Sequence, residues 1–233
     1  WSSDTTFSVT GSRSLKFKPV FAADRIVLQS LGFFNSPIRT LGGTRVNFYV
    51  RFAALPTGNA DRVFFSGDNG TGGEALAIFI NGSTRQISLW DNLSGGGKAT
   101  GAKQLGNYSN ALSLDTWYRI CVSTYISGKR NSLKAYLDGG LFAEAYNHEN
   151  SAGIVDAGYP SNMLESISMG NTGIGGFEIN YDDIYVDDGE SLNDVGAVHI
   201  TYKLPISNQT NNFGTAIGNN PTNRWENVNE QPF

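Results

Sequence analysis

The stretch "DTWYRICVSTYISGKRNSLKAYLDGGLFAEAYN" (Asp115–Asn147) is the most regular part of the chain. It reads as a long strand over Asp115–Ser127, a turn at "SGKRNS" and a hairpin over Ser132–Asn147. Asp138-Gly139-Gly140 supplies the hairpin turn, because Asp and Gly tolerate the left-handed backbone that tight antiparallel connections need. Upstream, "RVNFYVRFAAL" (Arg45–Leu55) alternates cleanly. Val46, Phe48, Val50 and Phe52 share one face, and Asn47, Tyr49 and Arg51 share the other, the pattern of a half-buried antiparallel strand. "RVFFSG" (Arg62–Gly67), "ALAIFING" (Ala75–Gly82) and "RQISLWDN" (Arg85–Asn92) follow, the last two joined by Asn81-Gly82-Ser83. Downstream lie "LESISMGN" (Leu164–Asn171), "GFEINYDDIYVDD" (Gly176–Asp188) and "AVHITYKLPI" (Ala197–Ile206). No segment of ten or more residues keeps helical periodicity. The predicted class is therefore all-β, an antiparallel β-sandwich of jelly-roll type.

Two stretches break the strand pattern. "SGGGKATGAKQLGNYSN" (Ser94–Asn110) lacks phosphate-loop spacing and reads as a flexible loop. Ser207–Phe233 is polar and rich in Asn, and reads as an extended arm or linker. The expected organisation is one sandwich over 1–190, followed by a C-terminal strand and extended arm over 191–233. The start shows no signal-peptide pattern. The sequence opens on Trp1 rather than Met, so an N-terminus that is cut or not fully represented is expected.

Composition narrows the function classes. Net charge is −4, and Lys129-Arg130 is the densest cationic spot, which argues against nucleic acid as a direct partner. No apolar run reaches membrane-spanning length, so no membrane insertion is expected. The one cysteine, Cys121, rules out an intrachain disulfide and reads as a buried, inert thiol. Five Asn-x-Ser/Thr sequons, at Asn69, Asn81, Asn92, Asn107 and Asn208, are the coincidence expected of a chain so rich in those residues.

The block Trp117–Ala145 resembles the concanavalin A-like lectin/glucanase superfamily, especially its laminin-G-like branch. Trp117-Tyr118, Leu137-Asp138-Gly139-Gly140 and Asp182-Asp183-Ile184-Tyr185-Val186 occur in that family's order. A narrower resemblance covers "YDDIYVDDGESLNDVGAVHITYKLPISN" and "NRWENVNEQPF". It is to structural proteins of tailed bacteriophages, whose laminin-G-like domain ends in such a strand and leads into a further β domain. That resemblance implies a virion protein, in capsid decoration or the tail. Its partners would be other virion proteins and further copies of itself.

The acidic stretch "YDDIYVDDGESLND" (Tyr181–Asp194) leaves three readings open. Strict alternation puts Asp182, Ile184, Val186 and Asp188 on one face, with Ile184 and Val186 toward the core. Asp182 then needs a partner. It is met by backbone amides or an Arg, with Asp183, Asp187 and Asp188 in water, or Asp182 and Asp183 serve a structural Ca²⁺, an ion that related sandwiches carry. No cofactor is required on the first reading. A catalytic pair is the third. Glucanases of the superfamily carry Glu-x-Asp-x-(x)-Glu on one strand face, and the nearest phrase, "WENVNE", has Glu226 and Glu230 but Val228 where the Asp belongs. Glu144 and Glu149 have no Asp between them. His148 reads as a loop residue and His199 as a strand residue, and no nucleophile elbow is present.

Aromatics are the remaining site candidates. Trp90, with Asp91 and Asn92 beside it, Tyr108, Tyr146 and Tyr159 suit stacking and hydrogen bonding to a sugar, and Trp90 suits core packing equally well. Trp117 reads as core. Three expectations follow: a non-enzymatic virion structural protein on a lectin-like sandwich, a glycan-binding module for bacterial surface polysaccharide, Ca²⁺-dependent on the metal reading, and, weakest, a polysaccharide-degrading enzyme.

Overall fold

The computed structural model describes residues 2–18, 25–29, 41–68, 74–91, 93–94, 97–98, 100, 102–127, 130–148, 166–170, 177–187 and 192–198. The strands are β1 (Ser2–Asp4), β2 (Ser14–Phe17), β3 (Arg25–Gln29), β4 (Leu41–Ala54), β5 (Asp61–Asp68), β6 (Glu74–Asn81) and β7 (Ile87–Asp91). They continue with β8 (Leu93–Ser94), β9 (Gly97–Lys98), β10 (Gln104–Leu105), β11 (Trp117–Ser127), β12 (Arg130–Leu137), β13 (Gly140–His148), β14 (Ser166–Gly170) and β15 (Glu178–Asp187). Among the described residues there is no helix. One sheet has the order β1-β2-β15-β4-β11-β12-β13, the other β10-β7-β6-β5-β14-β3, and β8-β9 forms a separate hairpin.

Alternation builds the core. Val46, Phe48, Val50 and Phe52 of β4 are buried, as are Ile120 and Val122 of the neighbouring β11. They meet Phe64, Phe65, Ile78, Ile80, Ile87 and Leu89 of the six-stranded sheet in one cluster. Phe48 stacks on Phe65 at 5.2 Å between centroids, and Phe52 meets Phe64 edge-on at 5.3 Å. The hairpin turn is where the sequence puts it. Asp138 and Gly139 have φ of 49° and 85°, and Asp138 Oδ1 accepts the Arg119 N–H at 2.7 Å.

Three expectations need correction. Strict alternation fails in the acidic stretch. Asp182 pairs with Tyr49 but Tyr185 with Asn47, so one extra residue bulges out of β15, at Asp183 with φ 44°. Ile179 and Tyr181 are therefore buried before the bulge, and Ile184 and Val186 pack on the core after it. Trp117 lies on the polar face and not in the core, because it pairs with Arg51, one step out of phase with Ile120 and Val122. The glycine-rich loop is largely tied down. Gln104 pairs with Trp90, Asn107 N–H reaches Phe142 O at 3.0 Å, and Ser109 N–H reaches Ile87 O at 3.0 Å. Gly106, at φ 75°, allows this: a Cβ there would lie 2.4 Å from the Ala143 backbone.

Smaller differences concern strand ends. Arg130 already pairs with Ser127 inside the expected turn, and His148 ends β13 opposite Asn131. Ala197 and Val198 are outside any strand, and the rest of the expected Ala197–Ile206 strand lies beyond the described residues. So does the whole of the unit 201–233, where the extended arm is expected.

Candidate ligand-binding face

The polar positions of β4 open onto the outer face of the seven-stranded sheet. Arg45, Asn47, Tyr49 and Arg51 stand beside Asp187, Tyr185, Asp182 and Asn180 of β15. On the other side they meet Ser123, Cys121, Arg119 and Trp117 of β11. Tyr136 and Lys134 of β12 flank Cys121 and Ser123, and Glu144 of β13 flanks Lys134. The face thus carries guanidinium, amide, phenol and carboxylate groups at strand spacing, the donor and acceptor types that recognise a polyhydroxylated ligand.

Many of these groups are buried and bonded. Asn180 accepts from Arg51 at 3.1 Å and donates to Asp4 at 2.9 Å and Ser14 at 3.2 Å. Arg51 also pairs with Asp115 and lies 3.6 Å from the Phe7 ring centroid. Arg45 holds Asp187 with two N–H donors at 2.8 and 2.9 Å. Arg119 donates to Asn47 Oδ1 at 3.2 Å and grips both oxygens of Asp194 at 2.5 Å. Cys121 is buried on this face, and desolvation pushes its thiol up, away from the reactive thiolate.

The electrostatics follow from these bonds. The Arg119 guanidinium holds Asp194 below its ordinary 3.8. The Thr6 N–H, then Asn180, does the same for Asp4. Lys16, bonded to Glu178, lowers that carboxyl below 4.5. A carboxyl whose folded value is depressed stabilises the fold above its unfolded value and ceases to as pH falls. The melting temperature is therefore expected to be flat from about pH 7 to 5 and to drop below about pH 4. A melting temperature that rises on acidification to pH 3 would contradict these pairings.

The sequence-predicted residues fall in two other places. Trp90 lies on the outer face of the six-stranded sheet, packed on Val63, Ala77 and Phe79. Its ring is covered by Lys98 Nζ at 3.6 Å, and its indole N–H is spent on Ser88 at 3.0 Å. Asp91 is buried and accepts the Lys103 N–H at 2.5 Å; as the next residue in β7 it points to the opposite face from Trp90. Asn92 and Tyr159 lie outside the described residues. Tyr108 is 49% exposed in the segment after β10. Asp182 accepts N–H groups of Val9 at 2.6 Å, Thr10 at 3.4 Å and Asp183 at 2.8 Å. Asp183 is buried, not in water, and accepts the Thr10 hydroxyl at 2.5 Å. These donors engage both carboxylate oxygens of Asp182. Among the described residues no group of three or more His, Cys, Asp or Glu converges.

Sequence reasoning missed Arg119 and Asp194. The available signal was the polar half of the β4 alternation, Asn47, Tyr49 and Arg51, which shows where the polar face lies but does not single out Arg119 or Asp194.

No family model matches the chain, and no curated protein does. Among solved structures, it is similar to a carbohydrate esterase from the Shiga toxin-encoding bacteriophage phi24B, with a TM-score of 0.52 and 14% identity over 80% of this chain and 86% of that one. It is similar to the family 7 alginate lyase A1-II′ in complex with substrate, with a TM-score of 0.52 and 15% identity over 82% and 84%. It is similar to the cellulose-induced protein Cip1, with a TM-score of 0.50 and 17% identity over 84% and 87%. In another A1-II′ structure and in a botulinum neurotoxin the matched part spans 63% and 37% of those chains. The likenesses to the phage esterase, the substrate-bound alginate lyase and Cip1 define the class of fold, a concanavalin A-like jelly roll.

Proposed function

We propose that this chain is a non-enzymatic structural component of a bacteriophage particle, in capsid decoration or the tail, whose lectin-like sandwich contacts bacterial surface polysaccharide through the outer face of its seven-stranded sheet. One observation carries the non-enzymatic part. Asp4, Glu178 and Asp194 on that face are all shifted down. A general acid for glycoside or ester cleavage needs the opposite shift, toward neutral pH. These carboxylates are also held by amide or cationic partners, an arrangement that suits fixed recognition better than proton transfer.

The particle role is supported by the C-terminal resemblance to tailed-phage structural proteins and by a phage esterase that shares the fold. The glycan role is supported by the polar sheet face, with the exposed Tyr146 close to Lys134 at its β13 margin. The expected result is binding to one or more polysaccharides on a bacterial glycan array, a discrete self-associated species in native mass spectrometry, and no product from any bound polymer. Release of unsaturated or reducing ends from a bound polysaccharide would replace this reading with an enzymatic one. A monomer that binds no glycan would remove both halves of it.

A further inference from the structure

The segment 192–198 has no regular secondary structure, yet it crosses the polar face of the seven-stranded sheet. Tyr136 Oη donates to Leu192 O at 2.9 Å, and Ser123 Oγ donates to Asn193 O at 3.4 Å. Asp194 then places both carboxylate oxygens on two nitrogens of Arg119, 2.5 Å each, and is steadied by the Gly196 N–H at 3.1 Å. Two parallel N–H···O contacts are the geometry with which an arginine recognises any carboxylate, including one on a ligand.

A second feature at the same spot is unmet. Asn47 is fully buried and gives its Oδ1 to Arg119, but its Nδ2 has no hydrogen-bond partner. A buried amide N–H left unpaired is costly, and native proteins rarely keep one without a reason. Asp194 therefore satisfies the anionic half of this position and leaves a neutral donor beside it empty. A sugar carrying a carboxylate would meet both: its carboxylate on Arg119, and a ring or hydroxyl oxygen on Asn47 Nδ2. The hydroxyls of Ser123 and Tyr136, now spent on backbone carbonyls of the segment, would be released to the same ligand.

We propose that Arg119 and Asn47 form a binding site for a uronic-acid residue of an acidic polysaccharide, and that Asp194 occupies it as a built-in competitor until the segment 192–198 is displaced. This rests on the glycan-binding reading above and names the ligand class and the control of that face. A ligand that must displace an internal occupant binds with an affinity reduced by the fraction of molecules in the open state. Removing the occupant restores that factor.

The test is calorimetric titration with a uronate tetrasaccharide, with a neutral glucan tetrasaccharide as reference. Asp194→Ala and Asp194→Asn are expected to bind the uronate at least about tenfold more tightly than the parent chain, if the site is open in under a tenth of molecules. Binding of the neutral sugar should gain less, because it has no carboxylate to take the place of Asp194 on Arg119. Adding Arg119→Lys to Asp194→Ala should abolish the gain, because lysine cannot make the two-pronged contact. Folded Asp194 variants with no gain for uronate overturn the proposal, even where array binding of neutral polysaccharide upholds the wider reading. Should both variants fail to fold, the parent chain decides. Saturating uronate tetrasaccharide should speed amide hydrogen exchange in 192–198, and unchanged or slower exchange there overturns the displacement.

Discussion

Phe48→Ala is expected to lower the stability of the sandwich by about 3–5 kcal/mol, the range for emptying a buried aromatic site. Phe48 is fully buried in β4, the strand with the longest pairings on both sides. Its ring stacks on Phe65 of the opposite sheet and lies 6.1 Å from Tyr181 of the adjacent strand. Alanine would leave a void bordered by two sheets whose backbones are fixed by their own ladders, so little collapse can fill it. The loss is a large part of the roughly 5–15 kcal/mol available to a domain. Urea unfolding should show a lower midpoint with the same slope, since the surface exposed on unfolding is nearly unchanged. Phe79→Ala is the control. Phe79 is as buried, but it packs outside the sandwich on Val63, Ala77 and Trp90. Equal losses for the two would mean that the interface between the sheets is not the centre of the core.

The parts of this fold that are local in origin were legible in the sequence. Alternation over Arg45–Leu55 fixes both faces of β4, and Asp138-Gly139 fixes the β12–β13 turn. Most of the misreadings come from contacts with other parts of the chain; Trp117 is the exception, since its phase against Ile120 and Val122 on the same strand already puts it on the other face. The bulge at Asp183 exists because Val9 and Thr10 bond to Asp182, more than 170 positions away, and no local pattern signals that. The loop after β9 is ordered because β7 and β13 offer it carbonyls and an amide. Trp90 combines ring, carboxylate and amide neighbours in sequence, as sugar sites do, yet a lysine from the β8–β9 hairpin covers it. The candidate face was half legible. Its polar residues could be read from β4, but the segment that crosses it could not.

Tyr181→Phe is expected to cost about 1–3 kcal/mol at neutral pH, the penalty for leaving buried polar groups unpaired. Tyr181 belongs to β15 of the seven-stranded sheet, and its hydroxyl reaches across the core to the other sheet. It donates to Phe64 O of β5 at 2.7 Å and accepts the Gly170 N–H of β14 at 3.2 Å. Phenylalanine keeps the ring and nearly the volume, so the loss reports these bonds and not a cavity. Alkali offers a sharper check. Burial raises the phenol far above its ordinary 10.0. Above that ordinary value the unfolded chain releases the proton while the folded chain keeps it, so the parent protein loses stability as pH rises. The variant has no such group, and every other titrating residue is common to both. The stability gap between them should therefore shrink above about pH 10, by up to roughly 1.4 kcal/mol for each further unit. Chemical denaturation of both proteins at pH 9 and pH 11 measures it. A constant gap would show that the Tyr181 hydroxyl ionises equally in both states, which a phenol bonded between two sheets cannot do.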